Sequence, residues 1–378
     1  MIFIDLSTFF LTLKTVLSGR WRSPRRVLWT AISILAVTTV YSLNLIGRLL
    51  DELLFPEYRS VEVSSPLIIT ANPRSGTTLL HRILGRDEGT FVSMKLYQTL
   101  FPSITLLKLF DLAGAVNRHL GRPFAPVMRR LDRVFFGGWE GVHGMGLGRT
   151  EEDEGLFLFN FATPALYMLF PFFREVTSLR FGDHLPEWKK KAIARDYLGS
   201  LKRILYHEKA GSRTLLIKSV LFHSRMDMLL RVLPDARVVY LMRDPCEALP
   251  STLDMFTAFW RVHSPDIPRD SEVTREWARL CIEYYRYFHR NRELLDPSRF
   301  ITMCYPDLVG DPVGAVKKIY TTFGMPLAPA FGERLDEEAL LNHEYRSEHE
   351  YSLGEYGIRR EWIIDELREI YDEYGLPR

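Results

Sequence analysis

Cysteine is scarce in this chain: Cys246, Cys281 and Cys304 are the only three in 378 residues, scattered and without metal-ligand spacing. Neither a disulfide framework nor a zinc site is indicated, and the three read as reduced, structural thiols. Charge of one sign is also lacking. The 49 Lys and Arg residues face 47 Asp and Glu, for a net of +2, which argues against general nucleic-acid binding. No internal repeat or low-complexity tract interrupts the sequence. With 47% hydrophobic and 25% charged residues, the chain has ample material for a buried core and reads as one main domain, not as disorder.

The most informative stretch runs from Pro66 to Leu84. Leu67 to Thr70 are apolar and β-rich, Pro73 breaks the run, and Leu79, Leu80, Ile83 and Leu84 resume at helical spacing. A strand, a tight loop and a helix follow one another directly. At such a helix start the amides of Ser75, Gly76, Thr77 and Thr78 point at any bound oxyanion with the positive dipole end behind them, and Arg74 adds a full charge. A Walker A loop needs a Gly-Lys-Ser/Thr that is absent here. A Gly-containing turn without a ligand is the plain alternative.

Two further strand ends carry charge. Arg237 to Met242 leads into Arg243-Asp244-Pro245, with Pro245 placed to open a helix that holds Ser251. An Arg at a strand's end and a Ser about two helical turns later grip one phosphate from two sides, unless Arg243 merely pairs with Asp244. Leu215-Leu216-Ile217-Lys218-Ser219 is a strand closing on a lysine, whose other reading is a side chain reaching for solvent. A fourth strand, Phe300 to Cys304, precedes Tyr305-Pro306-Asp307-Leu308-Val309-Gly310 and a helix through Phe323. Strand-loop-helix units at 66–84, 214–233, 237–255 and 300–323 imply a parallel sheet with helices on both faces, and a ligand site at the strands' carboxyl ends.

Pro73-Arg74-Ser75-Gly76-Thr77-Thr78 resembles the 5′-phosphosulfate loop of sulfotransferases that use 3′-phosphoadenosine 5′-phosphosulfate (PAPS). Arg243 with Ser251 resembles the 3′-phosphate site of the same family, and the resemblance extends over roughly residues 60–360. Its order matches the bacterial and microbial branch, supported by Glu151-Glu152-Asp153-Glu154 and by His349-Glu350-Tyr351-Ser352-Leu353. The resemblance implies a P-loop-like α/β three-layer fold, PAPS as co-substrate, no metal, and a hydroxyl-bearing acceptor. It also implies that Lys218 binds the bridging oxygen as sulfuryl leaves, where a fixed ammonium favours the transition state over the ground state. Tyr305 matches a family turn and offers an aromatic face to adenine, or else caps the core.

The general base does not carry over. The aryl branch places a His two residues after the strand lysine, where this chain has Val220, and the Glu that other branches use after the first helix is replaced near that spacing by Met94 and Lys95. Four adjacent carboxylates raise one another's pKa, which makes Glu152 the first choice and Asp153 the second. The run also suits a solvated, dipole-matched first helical turn. His223 can turn into the cleft or serve as a cap. His143, in a Gly-rich stretch, is a further option.

Residues 1–50 stand apart. An apolar stretch to residue 18, then Arg20, Arg22, Arg25 and Arg26, then a mostly apolar run from Val27 to Ile46 suggest membrane-associated helices. The second run is long enough to span, yet its Thr, Ser and Asn content suits a helix lying in the interface or packed on the domain. The catalytic domain is then expected in the cytoplasm. A spanning segment would instead place it across the membrane from the arginines. No signal peptide is expected, because the charge follows the first apolar stretch and no small-residue cleavage site is evident.

Residues 96–173, rich in Phe, Leu, Met, Trp and Gly, read as an insertion over the acceptor, suited to a lipid-like or amphiphilic alcohol, or as ordinary helical core. The expectation is a membrane-associated, PAPS-dependent sulfotransferase. Two rivals remain: a P-loop-type kinase, and a catalytically inactive, membrane-bound interaction module of the same fold.

Overall fold

A computed structural model describes residues 2–123, 126, 130, 148–342 and 352–378. His143, the Phe135–Trp139 stretch and His349–Tyr351 lie outside the described residues. Among those described, strands β1 (Leu67–Ala71), β2 (Phe91–Ser93), β3 (Thr214–Lys218), β4 (Arg237–Met242) and β5 (Phe300–Cys304) form one parallel sheet in the order β2-β3-β1-β4-β5. Ile69 of the central strand stands level with Lys218 on one side and Val239 on the other.

The strands are apolar without alternation because both faces are covered. Leu67, Ile69, Leu216, Val239 and Leu241 enter one core, while Ile68, Ile217, Val238 and Tyr240 enter the other. This is the expected three-layer α/β architecture. From β1 the chain leaves toward β2 and β3, whereas from β4 it leaves toward β5. The connections diverge between β1 and β4, and a crevice opens there at the carboxyl ends.

The leading helices are α1 (Leu6–Leu17), α2 (Pro24–Leu54), α3 (Thr77–Leu84), α4 (Leu96–Leu100) and α5 (Ile104–His119). α2 runs past both ends of the apolar stretch 27–46. Ser23 caps it by accepting from the Arg26 amide, and Pro24 occupies its first turn. α2 is also the one described helix long and apolar enough to cross a membrane, by length and composition.

Polar side chains fasten α2 to the rest of the fold. Arg26 makes two 2.7 Å bonds to Asp266, and Arg48 pairs with Asp196 and donates to Ser200 at 2.6 Å. Asp51, fully buried, pairs with Arg203 at 3.0 Å and accepts from the amides of Ile104 and Thr105 at the start of α5. Much of the apolar run after the acidic stretch is packed into the core. Leu166, Tyr167, Phe170, Phe172 and Phe173 are buried with Ile68 and Ile217, and Phe173 stacks on Trp277 with ring centroids 5.6 Å apart.

Candidate functional site

Two clusters meet at the carboxyl ends of the strands. The first grows from the β1 loop. Arg74 takes a left-handed backbone, φ 68°, and Gly76 another, φ 89°. At Gly76 a Cβ would lie 2.7 Å from the Tyr305 ring, so glycine is required both by conformation and by the approach of the ring. Arg74 Nε donates to Ser251 Oγ at 2.9 Å, and Thr252 Oγ1 donates to the carbonyl of Pro73 at 3.3 Å. The loop after β1 is thereby tied to the helix Pro245–His263 after β4.

Arg243 completes this cluster. Its Nη1 donates to the Arg74 carbonyl at 2.8 Å, its Nε reaches Glu247 at 3.2 Å, and its guanidinium lies 4.4 Å from the Tyr305 ring centroid. The Arg243–Asp244 pair considered from sequence does not form: Asp244 caps the helix through the Cys246 amide and accepts from Tyr371. Ser251, Arg74, Arg243, Tyr305 and Gly76, drawn from three strand ends, follow one another in an unbroken chain of contacts. The face of Tyr305 expected to meet adenine is stacked in this structure by Arg243.

The second cluster surrounds Lys218 at the end of β3. Its ammonium is 3.4 Å from Thr78 Oγ1, 3.4 Å from Glu151 and 3.7 Å from Glu152. The acidic run reaches this place by backbone bonds. The Glu151 amide donates to the Met94 carbonyl and the Asp153 amide to the Lys218 carbonyl, both at 3.0 Å. Glu152 keeps 29% of its side chain exposed, against 6% for Glu151. It is the carboxylate of the run that faces both the lysine and solvent.

Asp153 and His223 are corrected by their burial. Asp153 is fully buried, accepts from the Tyr197 hydroxyl at 2.9 Å, and is pushed up to about 6 by burial, with the positive Arg225 opposing. It cannot reach an acceptor proton. His223 is equally buried, its ring 4.6 Å from that of Tyr284, and burial with the nearby Arg225 charge pushes it down to about 3. It is a neutral core residue and does not face the cleft. Behind the run, Glu154 pairs with the fully buried Arg225, whose guanidinium lies 3.8 Å from the Phe157 ring centroid. The first-turn reading of the four carboxylates gives way here, since Glu154 and Asp153 point inward.

His81 was not anticipated. It lies on α3 one turn beyond Thr77 and Thr78, almost fully buried, with its ring bonded to the Leu216 backbone. Burial, and then the charge of Lys218, push it down to about 3. A neutral imidazole thus backs the lysine without competing for its charge. The sequence signal was weak: one histidine on the buried side of an apolar helix.

The loop fits an anionic phosphosulfate group. Ser75 Oγ is buried without a hydrogen-bond partner, and Gly76 leaves backbone where a side chain would stand. The amides of Thr77 and Thr78 fall at a helix start, where no intrahelical acceptor exists. Arg74, Arg243 and Lys218 supply positive charge around it.

A sulfotransferase family model matches residues 66–329. The chain is 26% identical over 332 residues to an omega-hydroxy-beta-dihydromenaquinone-9 sulfotransferase of Mycobacterium bovis, covering 84% of this chain and 77% of that protein, with the same figures for the Mycobacterium tuberculosis counterpart. Its fold is similar to that of the sulfotransferase STF1 of Mycobacterium tuberculosis, with a TM-score of 0.72 and 20% identity over 96% of this chain and 92% of that one. Sulfotransferase STF9 of Mycobacterium avium is similar at a TM-score of 0.68 and 20% identity, over 98% and 97%.

Proposed function

Because the chain belongs to the sulfotransferase family, we propose that it moves the sulfuryl group of PAPS directly to a hydroxyl of an apolar, lipid-like alcohol. The donor supplies a sulfuryl group on a phosphate leaving group. Arg74 and the amides of Ser75, Gly76, Thr77 and Thr78 hold its 5′ end, and Arg243 with Ser251 holds the 3′-phosphate. Tyr305 supports the Arg243 guanidinium beside it. Lys218 stabilises the charge that builds on the departing oxygen, and Glu152 accepts the acceptor's proton.

The observation that carries this reading is the meeting of Lys218 with Glu152 and Thr78 at the carboxyl end of the sheet, beside the Arg74–Arg243–Ser251 network. An ammonium for the leaving group and a half-exposed carboxylate for the proton are then adjacent. The apolar acceptor is suggested by the relative's menaquinone-derived alcohol and by the apolar N-terminal helices. Calorimetric titration without metal is the test. 3′-Phosphoadenosine 5′-phosphate should bind the wild type in preference to ATP, with Arg243→Ala about 30-fold weaker, a loss of about 2 kcal/mol. Preference for ATP would overturn the donor. Turnover of sugars in place of long-chain alcohols would overturn the acceptor class.

A further inference from the structure

We propose that the outer face of α2, with that of α5, is a docking face for an anionic lipid bilayer, and that α2 lies in the plane of that surface without spanning it. Arg26, Asn44, Arg48 and Asp51 are buried on one side of α2. They bind Asp266, the Leu100 carbonyl, Asp196 and Arg203. These anchors are spread over about 37 Å of helix, at 1.5 Å per residue. To cross a bilayer, α2 would have to leave all of them and strand buried charges on both sides.

The opposite side is aliphatic. Leu28, Ile32 and Leu35, and then Ile46, Leu49 and Leu53, recur every three or four residues where the anchors do not, the two groups separated by Thr39 and Ser42, and all six are exposed, Leu35 to 69% and Leu53 to 78%. Thr39 falls on the same side, but its hydroxyl donates to the Leu35 carbonyl, which hides its polarity within the helix. α5 packs beside α2: at Gly47 a Cβ would meet Ser103 Oγ at 2.5 Å and Leu106 at 2.8 Å. It adds Leu109, Leu112, Val116 and Leu120, each at least 45% exposed. An apolar stripe of this extent marks an interaction surface.

Charge selects the occupant. From Leu6 to Leu50 there is no Asp or Glu, while Lys14, Arg22 and Arg25 are exposed around the turn between α1 and α2. The buried Arg26 and Arg48 are already paired, so the charge offered outward is positive. An anionic leaflet complements it; the two acids at this face, Asp111 and Glu52, are taken up by His207 and by Arg59 and Arg203.

The test is flotation of the full chain with vesicles of phosphatidylcholine alone and of equal parts phosphatidylcholine and phosphatidylglycerol. The wild type should float with the anionic vesicles and be released by alkaline carbonate. Leu35→Glu with Ile46→Glu should lower the bound fraction at least tenfold without shifting the melting temperature, and Leu294→Glu, on an exposed leucine elsewhere, should change nothing. If the double variant melts early, Leu35→Ser and Arg25→Glu are read in the same way. Failure of the well-folded wild type to float overturns the proposal. So does a concentration-dependent dimer abolished by the double variant, which would assign the face to a second copy. Carbonate-resistant binding would mean that α2 spans. None of these readouts depends on the donor or on turnover.

Discussion

The two halves of the cleft are built differently. On the β1–β4 side, charged residues sit within a few positions of a strand end, and each finds its partner in the loop or helix after the other strand: Arg74 with Ser251, and Arg243 with the Arg74 carbonyl. Around Lys218 the neighbours come from α3 and from a segment lying between α5 and β3 in the chain. The first half is local motif joined by a sheet. The second draws in a segment remote from any strand end, and it brings carboxylates to a lysine, a charge arrangement useful for chemistry more than for holding anions.

If that division is right, substitutions on the two sides should separate in kinetics. Lys218→Ala should have the largest effect, a fall in kcat of about a thousandfold with donor affinity far less affected. Glu152→Gln should lower kcat by about a hundredfold, and Asp153→Asn by much less; equal losses would return the base to an open question. Arg243→Ala should raise the donor KM about 30-fold and restore most of kcat at saturating donor. A kcat loss there matching that of Lys218→Ala would erase the division.

The smallest effect concerns pH. Asp153 and Glu154 are two buried carboxylates facing the single guanidinium of Arg225, so the folded state retains a proton that the unfolded chain releases. Asp153 is raised to about 6 from an ordinary value of about 4. The pair's contribution to stability should therefore be full below about pH 4, fall on the order of 3 kcal/mol as pH rises to about 7, and level off above. Asp153→Asn should flatten that slope in chemical denaturation series. A slope of the opposite sign would mean that the Arg225 charge outweighs burial.

Legibility in the sequence followed the same division. β1, β3, β4 and β5 were readable because each couples an apolar run to a break and a helix, and Arg74, Lys218 and Arg243 stand where such runs end. β2 escaped because Phe91–Ser93 is three residues long, too short for any period. Glu151 and Glu152 were found as a cluster, but nothing in their spacing shows which of the four turns outward. That is decided by the Met94 and Lys218 carbonyls, which take the alternate amides of Glu151 and Asp153. The acidic run lies beside Met94 through that backbone bond. His223 misled because a histidine close behind the strand-end Lys218 in sequence is carried into the core by the turn Phe222–Arg225.

The contact of Gly76 with Tyr305 joins points more than half the chain apart. During synthesis the phosphate loop emerges early, yet the wall it leans on is made only after most of the polypeptide has left the ribosome. A nascent or truncated chain ending before β5 has the loop but not its backing. The donor affinity proposed for this loop should accordingly belong to the finished molecule, and nucleotide capture would then mark translation completed and folding carried through β5.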